Sequence, residues 1–320
     1  MKIDSALRER NIQPSWPLVL GVMLMVLLEA LDTTVVNVAL PHMKGSFAAT
    51  SDQITWMITA YLVSTAIVMP LTGYLVKKFG QREVLNFGVL GFIFASFACG
   101  LSTSLEEMVV FRFLQGGLGA VVVPISQSIM FRAFPGEKRS QAMSFWGIAL
   151  MVGPLVGPVT GGWITENWSW PWIFFINIPL GLIALLLISG KLEPNVDKKN
   201  VSTDWFGLIM LSVTLGALQM VLDQGHTRDW FDSAFIWFLC WLTATGFALF
   251  ILHALQTRES IVDIRLFGDK NFLVGNLLMA GYGMAMYSTI VLLPLQVQEV
   301  LGYPADTAGW ILTPRGAVSA

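Results

Sequence analysis

Charge is scarce in this sequence. Asp, Glu, Lys and Arg fill 12% of its 320 positions, against about 25% in an ordinary soluble domain. Hydrophobic residues fill 55%, so a water-soluble surface cannot be built. Cysteine is scarcer still: Cys99 and Cys240 both lie in apolar stretches. That excludes a disulfide-stapled scaffold and leaves inert thiols. His42, His226 and His253 have no companion at ligand spacing and read as interfacial residues. No metal site is expected. An enzyme, receptor or scaffold reading is disfavoured, because no polar loop is long enough for a soluble catalytic domain.

What the chain has instead is blocks of apolar residues about 18 to 24 long, the length a helix needs to cross about 30 Å of hydrocarbon. Nine complete spans are read: Pro17 to Leu40, Ile54 to Leu75, Val84 to Leu101, Met108 to Met130, Met143 to Ile164, Trp172 to Ile188, Trp205 to Leu222, Ala234 to Leu255 and Phe272 to Leu293. A tenth starts near Ala308 and reaches Ala320 after about 13 residues, too few to cross. The polypeptide is therefore expected to be part of a longer one. The first span is too long for a signal-peptide core and has no small-residue cleavage site, so it is expected to be an uncleaved anchor.

Basic residues set the orientation, because positively charged short loops stay cytoplasmic. With the N-terminus inside, fifteen Lys and Arg fall on the cytoplasmic side and two, Lys44 and Arg228, outside; Arg112 and Arg315 lie within spans. One missed helix would invert every later loop, so this asymmetry also supports the span count. The positive excess is a topology device rather than a nucleic-acid patch. Short loops join the first six spans, which must pack as antiparallel neighbours. The polar segment KLEPNVDKKNVSTD, 191–204, reads as a boundary. After two more spans, TRESIVDIRLFGDKN contains Ile261, Val262, Ile264, Leu266 and Phe267. Part of it is expected along the membrane surface.

Ionisable groups inside spans are the sharpest functional signal, each costing about 2.5 to 3.5 kcal/mol at a helix centre. Glu29 and Asp32, three residues apart, fall on one helical face and are expected to share an environment. Two carboxylates in low dielectric do not both ionise easily, which suits a proton carrier. A structural polar pair that fixes packing is the alternative. Arg112 in span four is the matching cation. Helical rise puts it and Asp32 both within about 8 to 12 Å of the outer boundary, so they can meet across the bundle. Snorkelling of Arg112 as a plain anchor is the alternative. In span five, Gly153, Gly157 and Gly161 recur every fourth residue beside Pro154, Pro158 and Gly162. Small residues at that period let another backbone approach, and the prolines favour a kink.

These residues resemble a known family. LDTTVVNVALP (31–41) is similar to the first-helix motif of drug/proton antiporters in the major facilitator superfamily, RFLQGGLGA (112–120) to the superfamily's fourth-helix motif, and 153–162 to the antiporter motif of helix five. NWSWPWIFFINIPLG (167–181), LQMVLDQGHTRDWF (218–231) and VDIRLFGDKNF (262–272) resemble the fourteen-helix branch of EmrB and QacA type, nearer EmrB. In GYLVKKFGQRE, Gly73, Lys78, Gly80 and Arg82 resemble the cytoplasmic gate-loop signature, but Lys77 replaces its aspartate, so the charge interaction of that residue cannot form in the same way.

The resemblance implies an all-α polytopic membrane protein of the major facilitator fold. Its expected layout is a cytoplasmic arm at 1–15, a six-helix bundle at 16–190, a linker at 191–204, two additional helices at 205–256, an interfacial connection at 257–271 and the start of a second bundle at 272–320. It implies a bacterial inner-membrane antiporter, N-terminus cytoplasmic, that exports lipophilic, often cationic compounds. Protons are the coupling ion, with no cofactor, and the resemblance gives the coupling role to Asp32 and Arg112; Glu29, outside the motif, joins them on the intramembrane-carboxylate reading above. Asn37, Gln115 and Gln127 are candidate substrate or packing contacts. In a Gram-negative host a periplasmic adaptor and an outer-membrane channel are implied. A symporter or uniporter on the same fold is the rival reading, against which the glycine-proline face of span five argues.

Overall fold

The computed structural model describes residues 15–134, 136, 138–192, 204–257, 260–296 and 301. The arm before residue 15, linker residues 193–203, Arg258, and the tenth span with Arg315 lie outside the described residues. Among the described residues every regular element is helical.

Helix α1, Trp16–Ser46, starts with a proline in its first turn, where the missing N–H costs nothing. Its 31 residues span about 46 Å. The helix passes Pro41 instead of ending before it, because an interior proline removes one backbone hydrogen bond while its neighbours keep theirs. A Thr50–Gln53 capping box opens α2, Ser51–Val68. A 3-10 turn at Met69–Leu71 leads to α3, Thr72–Phe79. Gly80, at φ +99°, turns the chain into α4, Gln81–Leu101, a conformation that favours glycine.

Span four is two helices, α5 (Leu105–Gly119) and α6 (Val122–Ala133), and span six is α8 (Trp172–Phe175) and α9 (Asn177–Ile188). Each break lies three or four residues before a proline. Pro124 has no N–H to give the carbonyl of Ala120, nor Pro179 to give that of Phe175. Between them α7, Lys138–Asn167, stays helical through Pro154 and Pro158. Helices α10 (Trp205–Gln224), α11 (Ala234–Gln256) and α12 (Lys270–Leu295) follow. Among the described residues seven helical segments are long and apolar enough to cross a membrane, counting α2 with α3 and α5 with α6 as continuous, and Trp172–Ile188 is a shorter apolar one. The chain is a multi-pass membrane protein.

Helix α1 is central, packed most closely on α7 and then on α9; α2 lies on α5, and α4 on α5 and α9. One apolar cluster surrounds Leu18, Val22, Leu85 and Ile129, and another surrounds Val36, Met43, Met57 and Met108. The stretch of α1 between them carries Glu29 and Asp32. Helices α10 and α11 pack on each other and reach the bundle through α2, where the Thr59 hydroxyl donates to Asp223 at 2.7 Å. At their other end His253 lies 2.7 Å from Asp204, which also caps α10 through the N–H of Gly207. That pairing makes His253 more than a lone interfacial residue. Between α11 and α12 a 3-10 turn, Ile264–Gly268, leaves Leu266 and Phe267 exposed, and α12 makes its main contact with that turn.

The glycine stripe of α7 is where α1 approaches. A Cβ added at Gly153 would meet Ala30, one at Gly157 would meet Thr34, and one at Gly161 would meet Val35. The Thr34 hydroxyl donates to the Gly153 carbonyl at 3.3 Å. Gly147, on the same helix, has open space around it. Gly157→Ala should therefore lower the thermal midpoint of detergent-purified protein, with a cost of about 1–3 kcal/mol from overpacking. Gly147→Ala should leave it unchanged or raise it, since alanine is the better helix former. Equal midpoints for the two variants would contradict a packing role for the stripe.

Candidate functional site

Asp32 ends up in the middle of the bundle, 2% exposed, with donors supplied by two other helices. On one oxygen, Oδ2, it accepts from Arg112 Nη1 of α5 at 2.6 Å. On the other, Oδ1, it accepts from Gln115 Nε2 of α5 at 2.8 Å and from Asn177 Nδ2 of α9 at 2.7 Å. Arg112 and Gln115 sit three residues apart, on one face of α5, so a single helix presents both. Asn177 is delivered by the break before α9.

The network extends outward from these residues. Arg112 Nη1 also donates to Gln115 Oε1 at 2.7 Å, which accepts a long contact of 3.6 Å from the Cys99 thiol. The amide of Asn177 also donates to the Ser96 hydroxyl at 2.9 Å, and that hydroxyl donates to the Phe174 carbonyl. The guanidinium of Arg112, 1% exposed, lies 4.2 Å from the centre of the Tyr61 ring. A charge taken this far out of water must be paired and hydrogen-bonded, and both charges of this pair are. The arrangement excludes Arg112 as an outward-snorkelling anchor.

Glu29 stands apart from this network. It is buried, yet no described residue hydrogen-bonds its Oε2. The spacing of three residues keeps Glu29 within reach of the Asp32 charge, but the donors that hold Asp32 do not reach Glu29 Oε2. Gln115 is fully buried in the network, whereas Asn37 and Gln127 are exposed. Gly73 sits at the opposite end of α3, whereas Lys77, Lys78, Gly80 and Arg82 lie at the α3–α4 turn. There Lys77 is exposed, and Lys78 Nζ lies 5.4 Å over the Tyr74 ring and 5.3 Å over Phe79. Pro154 is half-buried; Pro158 and Gly162 are buried beside the stripe. Sequence reasoning missed Asn177, Ser96 and Tyr61. An amide inside the apolar run FFINIPLG was the available signal for Asn177.

Membrane-length helices around a sealed acid–base pair are the architecture of a polytopic transport protein, since buried membrane charges mark substrate and ion pathways. The family model of the Major Facilitator Superfamily matches residues 22–320, and the chain belongs to that superfamily. It is 40% identical to the "Fatty acid resistance protein FarB" of Neisseria gonorrhoeae over 92% of this chain and 58% of that protein. It is 37% identical to the "Multidrug export protein EmrB" of Escherichia coli K12 over 91% of this chain and 57% of that one. The chain thus spans less than two thirds of the length of these relatives. In fold it is similar to the peptide transporter POT, with a TM-score of 0.62 at 14% identity over 96% of this chain and 70% of that one.

Proposed function

We propose that the whole protein is a proton-coupled exporter of lipophilic, often cationic compounds. It works by alternating access in a bacterial inner membrane, with its N-terminus in the cytoplasm. The observation that carries this reading is the set of donors that converges on Asp32. Its two oxygens take three hydrogen bonds from Arg112, Gln115 and Asn177. Adding a proton removes the negative charge that all three donors share and so weakens each of these contacts at once. The guanidinium then loses its offsetting charge and keeps Gln115 Oε1 and the Tyr61 face as alternative partners. A proton on α1 thereby changes how α1 is held to α5 and α9, and alternating access requires such a two-state contact between helices.

Export rather than uptake is supported by the printed names of the relatives, which are multidrug export and fatty acid resistance proteins. The glycine contact between α7 and α1 agrees with the antiporter resemblance of span five. In a Gram-negative envelope the protein would deliver its substrate to a periplasmic adaptor and an outer-membrane channel.

Exporter-deficient cells expressing the full reading frame should accumulate less ethidium or uncoupler than control cells. Collapse of the proton gradient should erase the difference. Equal accumulation with the gradient intact sinks the multidrug reading and leaves the membrane architecture standing.

A further inference from the structure

A cavity of about 300 Å³ lies between the start of α1, the end of α6 and the start of α7, far from the Asp32 network and at the membrane face where α1 begins. Its volume is that of about ten waters and matches the lower bound of small-ligand sites. The walls are apolar: Trp16 and Val19 from α1, Met130 and Phe134 from the end of α6, and Phe145 from α7. Three polar side chains border it, Ser15, Lys138 and Gln141, and among the described residues no carboxylate does.

Ser15 is the N-cap of α1, where a serine hydroxyl ordinarily accepts from the first turn of the helix. This one makes no such bond, and Pro17, in that turn, has no N–H to offer. Its Oγ is buried with no hydrogen-bond partner among the described residues, although buried hydroxyls are as a rule satisfied. Lys138 is exposed, and no described carboxylate pairs with it. The described charges on the two helix ends that form the mouth, Arg132, Lys138 and Arg139, are all basic.

These features select the ligand. Apolar walls exclude a small hydrated anion as the whole occupant, and a lysine beside an unpaired hydroxyl disfavours a cation. Position then chooses among amphipathic anions. Trp16, 74% exposed, opens the first span, and tryptophan concentrates at the level of lipid headgroups. Basic pockets between helix ends at that level suit an anionic headgroup. Phosphodiester oxygens can accept from Lys138 and Ser15, while the glycerol backbone and the first chain carbons lie against Trp16, Phe134 and Phe145.

We propose that this cavity binds the headgroup of one anionic phospholipid between α1, α6 and α7. The site does not depend on the transport reading; only its leaflet, the cytoplasmic one, follows from the orientation given there.

Native mass spectra of delipidated full-length protein, supplied with dioleoyl phosphatidylglycerol and dioleoyl phosphatidylcholine in equal amounts, test the site. Wild type should retain one phosphatidylglycerol in preference to phosphatidylcholine. Lys138→Gln should lower that retention about fivefold and Ser15→Ala about threefold. Lys191→Gln, which removes an exposed lysine at the same end of the bundle, should leave it unchanged. No preference in wild type, or equal losses in Lys138→Gln and Lys191→Gln, overturns the site. Displacement of the lipid by equimolar glycerol 3-phosphate or oleate assigns the cavity to a free phosphate or a single-chain acid, and overturns the phospholipid assignment.

Discussion

Asp32→Asn should abolish proton-coupled export. Asparagine keeps the shape of the side chain but offers one acceptor where the carboxylate offers two. With its oxygen toward Arg112, its NH2 group faces the donors of Gln115 and Asn177; turned over, it faces the guanidinium. Either orientation leaves Arg112 buried without the anion that compensates it, a loss of about 3–5 kcal/mol when one partner of a buried pair is removed. Proton release on substrate addition to full-length protein in detergent should vanish, and the thermal midpoint should drop. Release equal to wild type would remove Asp32 from the coupling mechanism.

Arg112→Ala should be as damaging, for a complementary reason. It strips Asp32 of its one cation, empties a space that a fully buried side chain fills, and leaves the Tyr61 face uncovered. Arg112→Lys should retain part of the coupling. Lysine keeps the charge, but its ammonium is a compact point on a flexible stem and lacks the planar face that lies over the Tyr61 ring, so it is held less firmly beside Asp32. Substrate affinity should change less than protons moved per molecule transported, since the site is a coupling element. Equal affinity losses in both variants, with coupling intact, would make Arg112 a substrate contact instead.

The fold was legible in the sequence because the bilayer imposes a length on every apolar block and a sign on every short loop. Those rules act on composition alone, and they give the spans from Trp16 to Gln256 closely. They do not see helix interiors. The breaks at Ala120–Val121 and Ile176, and the unbroken passage through Pro41, Pro154 and Pro158, follow from which carbonyl each proline leaves unpaired and whether neighbours absorb the loss.

The candidate site divides the same way. That Asp32 and Arg112 matter could be argued from the cost of placing a charge in a span, and that they can meet from their similar depth. Depth along the membrane says nothing about azimuth around a helix, so the partners that complete the site could not be inferred. Asn177, Ser96 and Tyr61 enter it only because α9, α4 and α2 turn those faces inward. For the same reason sequence spacing put Glu29 within reach of the Asp32 charge but could not say that the donors gather on Asp32 alone. A turn of helix carries one carboxylate into a ring of donors and the other against apolar walls. Sequence alone determined that this chain crosses a membrane many times and carries charge inside it, because both are properties of residues one at a time. The tertiary structure decided which charge is paired and which is not, because pairing depends on the rotation of several helices about their axes, and no single segment encodes that.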